Sequence, residues 1–364
     1  MIGFMMKSIC RIITLALLCT SCSTNPLKPQ KPDNRPVVGA IRWDAWHGDK
    51  SSVGRAVENA LGPKPWHYRV PFFGKIISDT QVEIRGYTQE IVDQEIAYAH
   101  QAGLDYWAFG LYPTLPAMTE ARILYLTSRH KATINFCLWS GPDDFNSEGN
   151  LRNIIQLMQE PTYQHVLGKR PLFYLGFVDE KWLKVLGGRR RTDALRRMAQ
   201  QAGLGNPYLV LMDFSATHGK KMADAIGFDA ISAYACSGGG HGTYAALAEH
   251  VEHFWEQCKT TGAQVVPIVM TSADRRPRVE HPVPWEPCQK PGVGVDKFYE
   301  MPTSAELAGH LTHALTWIKI NPTAAPANAV IIYAWNENDE GGWLVPTLGE
   351  GTTRIEAIAK VLRD

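Results

Sequence analysis

Eight short apolar runs punctuate the chain, and their regular recurrence limits the possible folds more than any other feature. They are VVGAIRW from Val37, LDYWAFGLY from Leu104, INFCLW from Ile134, PLFYLGF from Pro171, YLVLMDF from Tyr208, FDAISAYA from Phe228, QVVPIVM from Gln264 and AVIIYAW from Ala329. Runs this apolar, rich in β-branched and aromatic residues, read as strands buried on both faces, as in a parallel sheet. Helical patterns fill the gaps. Residues 88–102 open on a Thr cap and an acidic first turn and stop at Gly103. Residues 180–201, 243–258, 304–320 and 353–362 also carry helical spacing. Strand then helix, repeated around 37–364, predicts a single (β/α)8 barrel, with an open doubly wound sheet as the alternative.

Several classes are disfavoured. GAIRWDAWHG after the first run is not G-x-G-x-x-G, and no P-loop occurs, so no nucleotide cofactor is expected. The formal net charge of +1 offers no basic field for nucleic acid. Arg189, Arg190 and Arg191 read as a solvated helix face.

The N-terminus is a targeting segment. Lys7 and Arg11 flank the apolar stretch IITLALL, too short to span a bilayer as a helix, followed by CTSCSTNP. Residues 1–22 resemble a bacterial lipoprotein signal, with Cys22 as the lipidated residue and Cys19 as a departure. Residues 23–36 are a Pro-rich tether. Secretion and a lipid anchor to a membrane are therefore expected. Cys137, Cys236, Cys258 and Cys288 show no zinc spacing, and a Cys258–Cys288 disulfide is conceivable in an oxidising compartment.

In such barrels the reactive groups sit where strands end. The first run delivers Trp43, Asp44, Trp46 and His47. The second delivers Tyr112 and the third Trp139, with Asp143 and Asp144 in its loop. The fifth delivers Asp213. The sixth delivers Tyr234, then His241 in a glycine-rich loop, and the seventh Asp274, Arg275, Arg276 and Arg278. The eighth delivers WNENDEGGW, with Trp335, Asn336, Glu337, Asp339, Glu340 and Trp343. Aromatics and acids gathered at one end suit a carbohydrate, whose C–H faces stack on rings while its hydroxyls meet carboxylates. Glu337 and Glu340 are candidates for the two carboxyl groups of glycoside hydrolysis. Spacing alone does not separate them from ordinary loop acids. Nor does it exclude calcium or zinc held by Glu337, Asp339, Glu340, His47 and Asp44, although no metal is expected.

WNENDEGGWLVPT resembles the strand-eight motif of glycoside hydrolase family 99 and its bacterial polysaccharide-cluster relatives. AIRWDAWHG, LDYWAFGLYP, FDAISAYACSGGGHG and VPIVMTSADRRPR, the last followed by PVPW, are similar to the family's first, second, sixth and seventh strands. The resemblance implies a (β/α)8 barrel and retaining, endo-acting hydrolysis of α-mannosidic linkages. It implies that Glu337 is the base assisting attack by the sugar's own 2-hydroxyl, and that Glu340 is the general acid and base. Tyr112, Tyr234, Asp274 and Arg278 match the sugar pocket loosely. Asn338-Asp339 replaces the family's Trp-His and Gly342-Trp343 its polar pair, which implies a different substrate. Three functions follow as expectations: a secreted glycoside hydrolase, a transferase or processing factor of polysaccharide assembly, and a non-catalytic carbohydrate-binding lipoprotein.

Overall fold

The computed structural model describes residues 35–186 and 188–363. The expected signal with Cys22, and tether residues 23–34, lie outside the described residues. Each of the eight apolar runs contains a strand: β1 (Val37–Arg42), β2 (Tyr106–Gly110), β3 (Asn135–Ser140), β4 (Arg170–Gly176), β5 (Tyr208–Met212), β6 (Ala230–Ser232), β7 (Gln264–Val265 and Ile268–Met270) and β8 (Ala329–Tyr333). Neighbours pair in parallel from β1 to β6, and β8 returns to β1 with Val37 opposite Ala329. The ring closes through the two pieces of β7. The first pairs with β6 and the second with β8. Pro267 separates them because it has no N–H to give. The Val266 N–H bonds Ile231 O at 3.0 Å, while Pro267 O accepts from Ile331 N at 3.0 Å. This closure makes the fold a (β/α)8 barrel and excludes the open sheet.

The barrel interior is packed with side chains. The Tyr106 hydroxyl lies 2.9 Å from that of Tyr174 and donates to Val330 O at 2.9 Å. Gly39 on β1 makes room for that ring, since a Cβ there would fall 2.2 Å from Tyr106. A larger residue at 39 would force the central tyrosines out of place.

The expected helices are present, with their caps. Thr88 accepts from the Ile91 N–H to start Gln89–Ala102, and Gly103 at φ 80° ends it. Thr303 and Glu306 form a reciprocal capping box at Ser304–Ile320. Residues 180–201 form two helices instead of one, Glu180–Leu186 and Gly188–Gln201. The ring of Trp182 sits where a Cβ on Gly188 would be, so the second helix packs closely against the first.

The long β1–β2 connection was not readable from periodicity. It holds a helix (Ser52–Leu61) and a hairpin (Gly74–Ser78 with Gln81–Ile84). With Ala45, Trp46 and Trp66 these form a second apolar cluster that includes Val57, Leu61, Val82 and Ile84. That cluster braces the exit of β1 and brings in Arg69, whose role appears below. The cysteine pairing does not form. Cys258 is buried in the helix Tyr244–Thr260 while Cys288 is exposed in the loop after β7, and all four described cysteines are free thiols. Among the described residues no helix is long and apolar enough to cross a membrane.

Candidate active site

Strand β8 does not simply stop. After Trp335 the chain makes a tight hairpin, Asn336–Glu337 against Gly342–Trp343, with a single helical turn over Asn338–Glu340. Gly341 at φ 86° turns the corner, and a Cβ there would meet the backbone of Asp274 at 2.5 Å. The Asp274 N–H in turn bonds Glu340 O at 2.9 Å. Glu337 and Glu340 thus stand at the two ends of one turn, pinned to the loop that follows β7.

Both carboxyls, with Asp339 between them, converge on the guanidinium of Arg278. Its Nε donates to Asp339 Oδ2 at 2.6 Å, its Nη2 to Glu337 Oε2 at 3.2 Å, and its Nη1 to Glu340 Oε1. Arg278 comes from a short helix, Arg276–Glu280, and its guanidinium lies 4.8 Å from the centre of the Trp43 ring. The two glutamates have different further partners. The Tyr234 hydroxyl donates to Glu337 Oε1 at 2.5 Å. Glu340 accepts from the Tyr333 hydroxyl, and Arg275 Nε lies 3.3 Å from its Oε1.

Three carboxyls around one buried guanidinium cannot all ionise without strong repulsion. Burial, then the charge of Glu340, lifts Glu337 well above the usual carboxylate range, against the pull of Arg278. Burial also raises Asp339, even beside Arg278. Burial acts on Glu340 in the same sense, but Arg278, Arg275 and the Tyr333 hydroxyl together outweigh it and hold Glu340 below that range. Burial comes first among the causes that keep Tyr234 and Tyr333 far above their ordinary values, so both remain donors. Glu337 is thus the carboxyl that burial and its neighbours press towards the protonated form, and Glu340 the one that two arginines and a tyrosine hydroxyl press towards the charged form.

The pair opens onto a cavity of about 790 Å³ at the C-terminal ends of the strands. Of the residues expected there, Trp43, Tyr112, Trp139, Tyr234, Arg275, Arg278, Glu337 and Glu340 line it. Trp139 packs edge-on against Tyr112 and Tyr234, at centroid distances of 5.6 and 4.9 Å.

The other expected residues do not reach the cavity wall. Asp44 accepts two hydrogen bonds from Arg42, and Asn336 binds Asp44 Oδ1 at 3.1 Å and the Trp43 N–H at 2.9 Å. Trp46 donates to Asn336 O, and Trp335 to Glu95. His47 is buried in a separate small crevice. His241 is exposed in its loop. Asp274 is fully buried in ion pairs with Arg69 and Arg276. Trp343 is buried under the Arg354 guanidinium, 3.7 Å from its ring centre. Asp44, Trp46, Asn336 and Asp274 belong to the scaffold that holds the β8 turn to β1 and to the loop after β7. Asp44 and His47 do not meet the β8 acids, and among the described residues no group of three or more His, Cys, Asp or Glu is arranged to hold a metal ion. Asp213 likewise faces His218, at 2.6 Å, and is not on the wall.

The substituted pair also lies elsewhere than expected. Asn338 and Asp339 are fully buried, with Asn338 Nδ2 on Arg69 O at 2.7 Å, so neither touches a ligand in the cavity. The wall instead includes residues that strand-end reading missed. Trp285 and Glu286 come from the long β7 loop, Phe177 directly follows β4, and Phe214 lies two residues past β5. Both phenylalanines were visible as the last letters of their apolar runs.

This architecture defines a (β/α)8 barrel with a buried carboxyl pair at the mouth of an aromatic-lined cavity. No protein-family model matches the chain, and no curated protein matches it. Its fold is similar to that of two solved endo-α-mannosidase structures of glycoside hydrolase family 99 from Bacteroides thetaiotaomicron. One has a TM-score of 0.55 and 12% identity and covers 91% of this chain and 95% of its own. The other has a TM-score of 0.50 and 14% identity and covers 87% and 88%. The fold is thus a TIM barrel similar to that of these two structures.

Proposed function

We propose that the chain is a glycoside hydrolase that cleaves α-linked sugars with retention, using Glu337 and Glu340. The observation that carries this reading is the convergence of two buried carboxyls, each with different further partners, on one guanidinium at the mouth of an aromatic-lined cavity; acid–base cleavage of a glycosidic bond requires two such carboxyls of unequal proton affinity. In the reaction, the C1–O bond breaks as the leaving oxygen takes a proton from the carboxylic acid. The carboxylate takes the proton of the 2-hydroxyl, whose oxygen bonds to C1. Water then opens this ring at C1 and the protons return.

The resemblance gives Glu337 the base's part and Glu340 the acid's. The neighbours of the two carboxyls favour the reverse, because Glu340 faces a second arginine, Arg275, while Glu337 has Arg278 alone, and we adopt that split. A glycosyl fluoride separates the two, because its leaving group needs little acid help. The variant of the acid keeps turning it over and the variant of the base does not. We expect Glu337→Gln to retain fluoride hydrolysis and Glu340→Gln to lose it; the opposite result restores the family's assignment.

The function itself is tested by incubating the protein with a panel of α-linked glycans, without nucleotide sugar, and measuring new reducing ends. Release supports hydrolysis; binding without release means a carbohydrate-binding protein. The pH profile follows from the same proton placement. The rate falls on the acid side as Glu340 gains a proton, below the usual carboxylate range. It falls on the alkaline side as Glu337 loses its proton, above that range. A single rising limb at about pH 4, the ordinary carboxylate value, contradicts the pairing.

We propose further that the protein is exported and lipid-anchored through Cys22, on its signal-like N-terminus alone. Cys22→Ala then moves the protein from the membrane fraction to the soluble one. Retention in the membrane fraction means that some other segment anchors it.

A further inference from the structure

Among the described residues, the exposed large aromatic hydrophobics are Phe177, Phe214 and Trp285, and all three line the same cavity. Scattered exposed apolar residues need no explanation, but exposed rings confined to one concavity do. Trp285 packs edge-on against Trp43, 5.3 Å between centroids, near the acids. The two phenylalanines stand elsewhere on the mouth. Phe177 follows β4 and is 47% exposed; Phe214 follows β5 and is 64% exposed. Their rings are inclined by only 32°, with centroids 5.8 Å apart.

Phe177 holds its place at a backbone cost. Its φ is 64°, a left-handed conformation that a bulky residue rarely adopts. Strain of this kind persists where the surroundings over-determine it, and it clusters at ligand sites. Here it presents an apolar ring to the cavity rather than to the core. The ring also touches the reacting centre indirectly. It lies 5.7 Å from the Tyr234 ring, whose hydroxyl donates to Glu337.

We propose that Phe177 and Phe214 form a second sugar-binding platform, which stacks a pyranose unit next in the chain to the one attacked at Glu337 and Glu340. The proposal rests on the glycosidase reading of that carboxyl pair. Phenyl rings carry no hydrogen-bonding group, so the pair grips the C–H face of a sugar and leaves its hydroxyls to solvent. Such a platform favours chains of several units over short fragments.

The test uses titration calorimetry with α-linked manno-oligosaccharides of one to four units, on the Glu340→Gln protein and on the same protein carrying Phe214→Ala or Phe177→Ala with Phe214→Ala. The parent is expected to gain affinity with each added unit up to the platform. The phenylalanine variants lose that gain, binding the tetrasaccharide about tenfold more weakly and the shortest ligand as the parent does. Phe214→Trp restores the gain, which a merely unfolded loop does not allow. A parent that binds sugars with no dependence on length, or phenylalanine variants that keep the dependence, overturns the platform and leaves the hydrolase reading standing. A parent that binds none of these ligands overturns the platform for mannose chains, and it overturns both readings if the panel of α-linked glycans also yields no new reducing ends.

Discussion

Glu340→Gln and Glu337→Gln each lower glycan hydrolysis by about a thousandfold, in the range lost when a positioned acid or base is removed. Both substitutions keep the side chain's length and can keep a hydrogen bond to the tyrosine that now faces the carboxyl, Tyr333 or Tyr234. The fold and the aromatic walls are therefore expected to survive, and oligosaccharide binding with them. Reducing-end assays alongside calorimetry separate loss of chemistry from loss of binding. If either variant turns over substrate at the parental rate, that carboxyl has no part in the reaction.

Arg278 carries the second large effect. It is buried between the aromatic wall and three carboxyls, and no other cation among the described residues contacts Glu337 or Asp339. Arg278→Met removes the partner and leaves the acids in place, a change that typically costs about 3–5 kcal/mol. The pH dependence has a definite sign. Without the guanidinium, burial and mutual repulsion lift the folded-state proton affinities of Glu337 and Asp339 further above their unfolded values. Acids lifted in this way are tolerated while protonated and become destabilising as pH rises through their folded-state range. Thermal melts of the variant should therefore lie closest to the parent near pH 5 and fall away towards pH 8. A variant that melts with the parent at every pH contradicts the central place given to Arg278.

The barrel was legible because its strands are buried on both faces and so stand out as unbroken apolar runs. Pro267 was visible inside the seventh run, and its consequence, a strand in two pieces each serving a different neighbour, follows from the missing N–H. The insertion after β1 was not legible. Its hairpin and helix build their own small core, and nothing local announces that Arg69 will reach Asp274. For that reason Asp274 was expected in the sugar pocket and is found in a buried ion pair.

The site divides along the same line. Strand-end position says which mouth of the barrel a residue occupies, and it found Trp43, Tyr112, Trp139, Tyr234 and both glutamates. It does not say which way a side chain points. Trp335 and Asn336 precede Glu337 directly, yet they turn towards Glu95 and Asp44 and tie β8 to β1. Asn338 and Asp339 face inward in the turn between the glutamates, so they shape the charge of the site rather than its contact with a ligand. Trp285 and Glu286 arrive from a loop more than ten residues past β7, where no strand position marks them.

The central claim is that one cavity places a sugar's scissile bond between Glu337 and Glu340. A crystal structure of the Glu340→Gln protein with an intact α-linked oligosaccharide tests it most directly. The account predicts the glycosidic oxygen within hydrogen-bond reach of Glu337, and the 2-hydroxyl of the attacked ring beside residue 340. An oligosaccharide bound elsewhere, or bound in the cavity with its glycosidic oxygens out of reach of both side chains, contradicts the account.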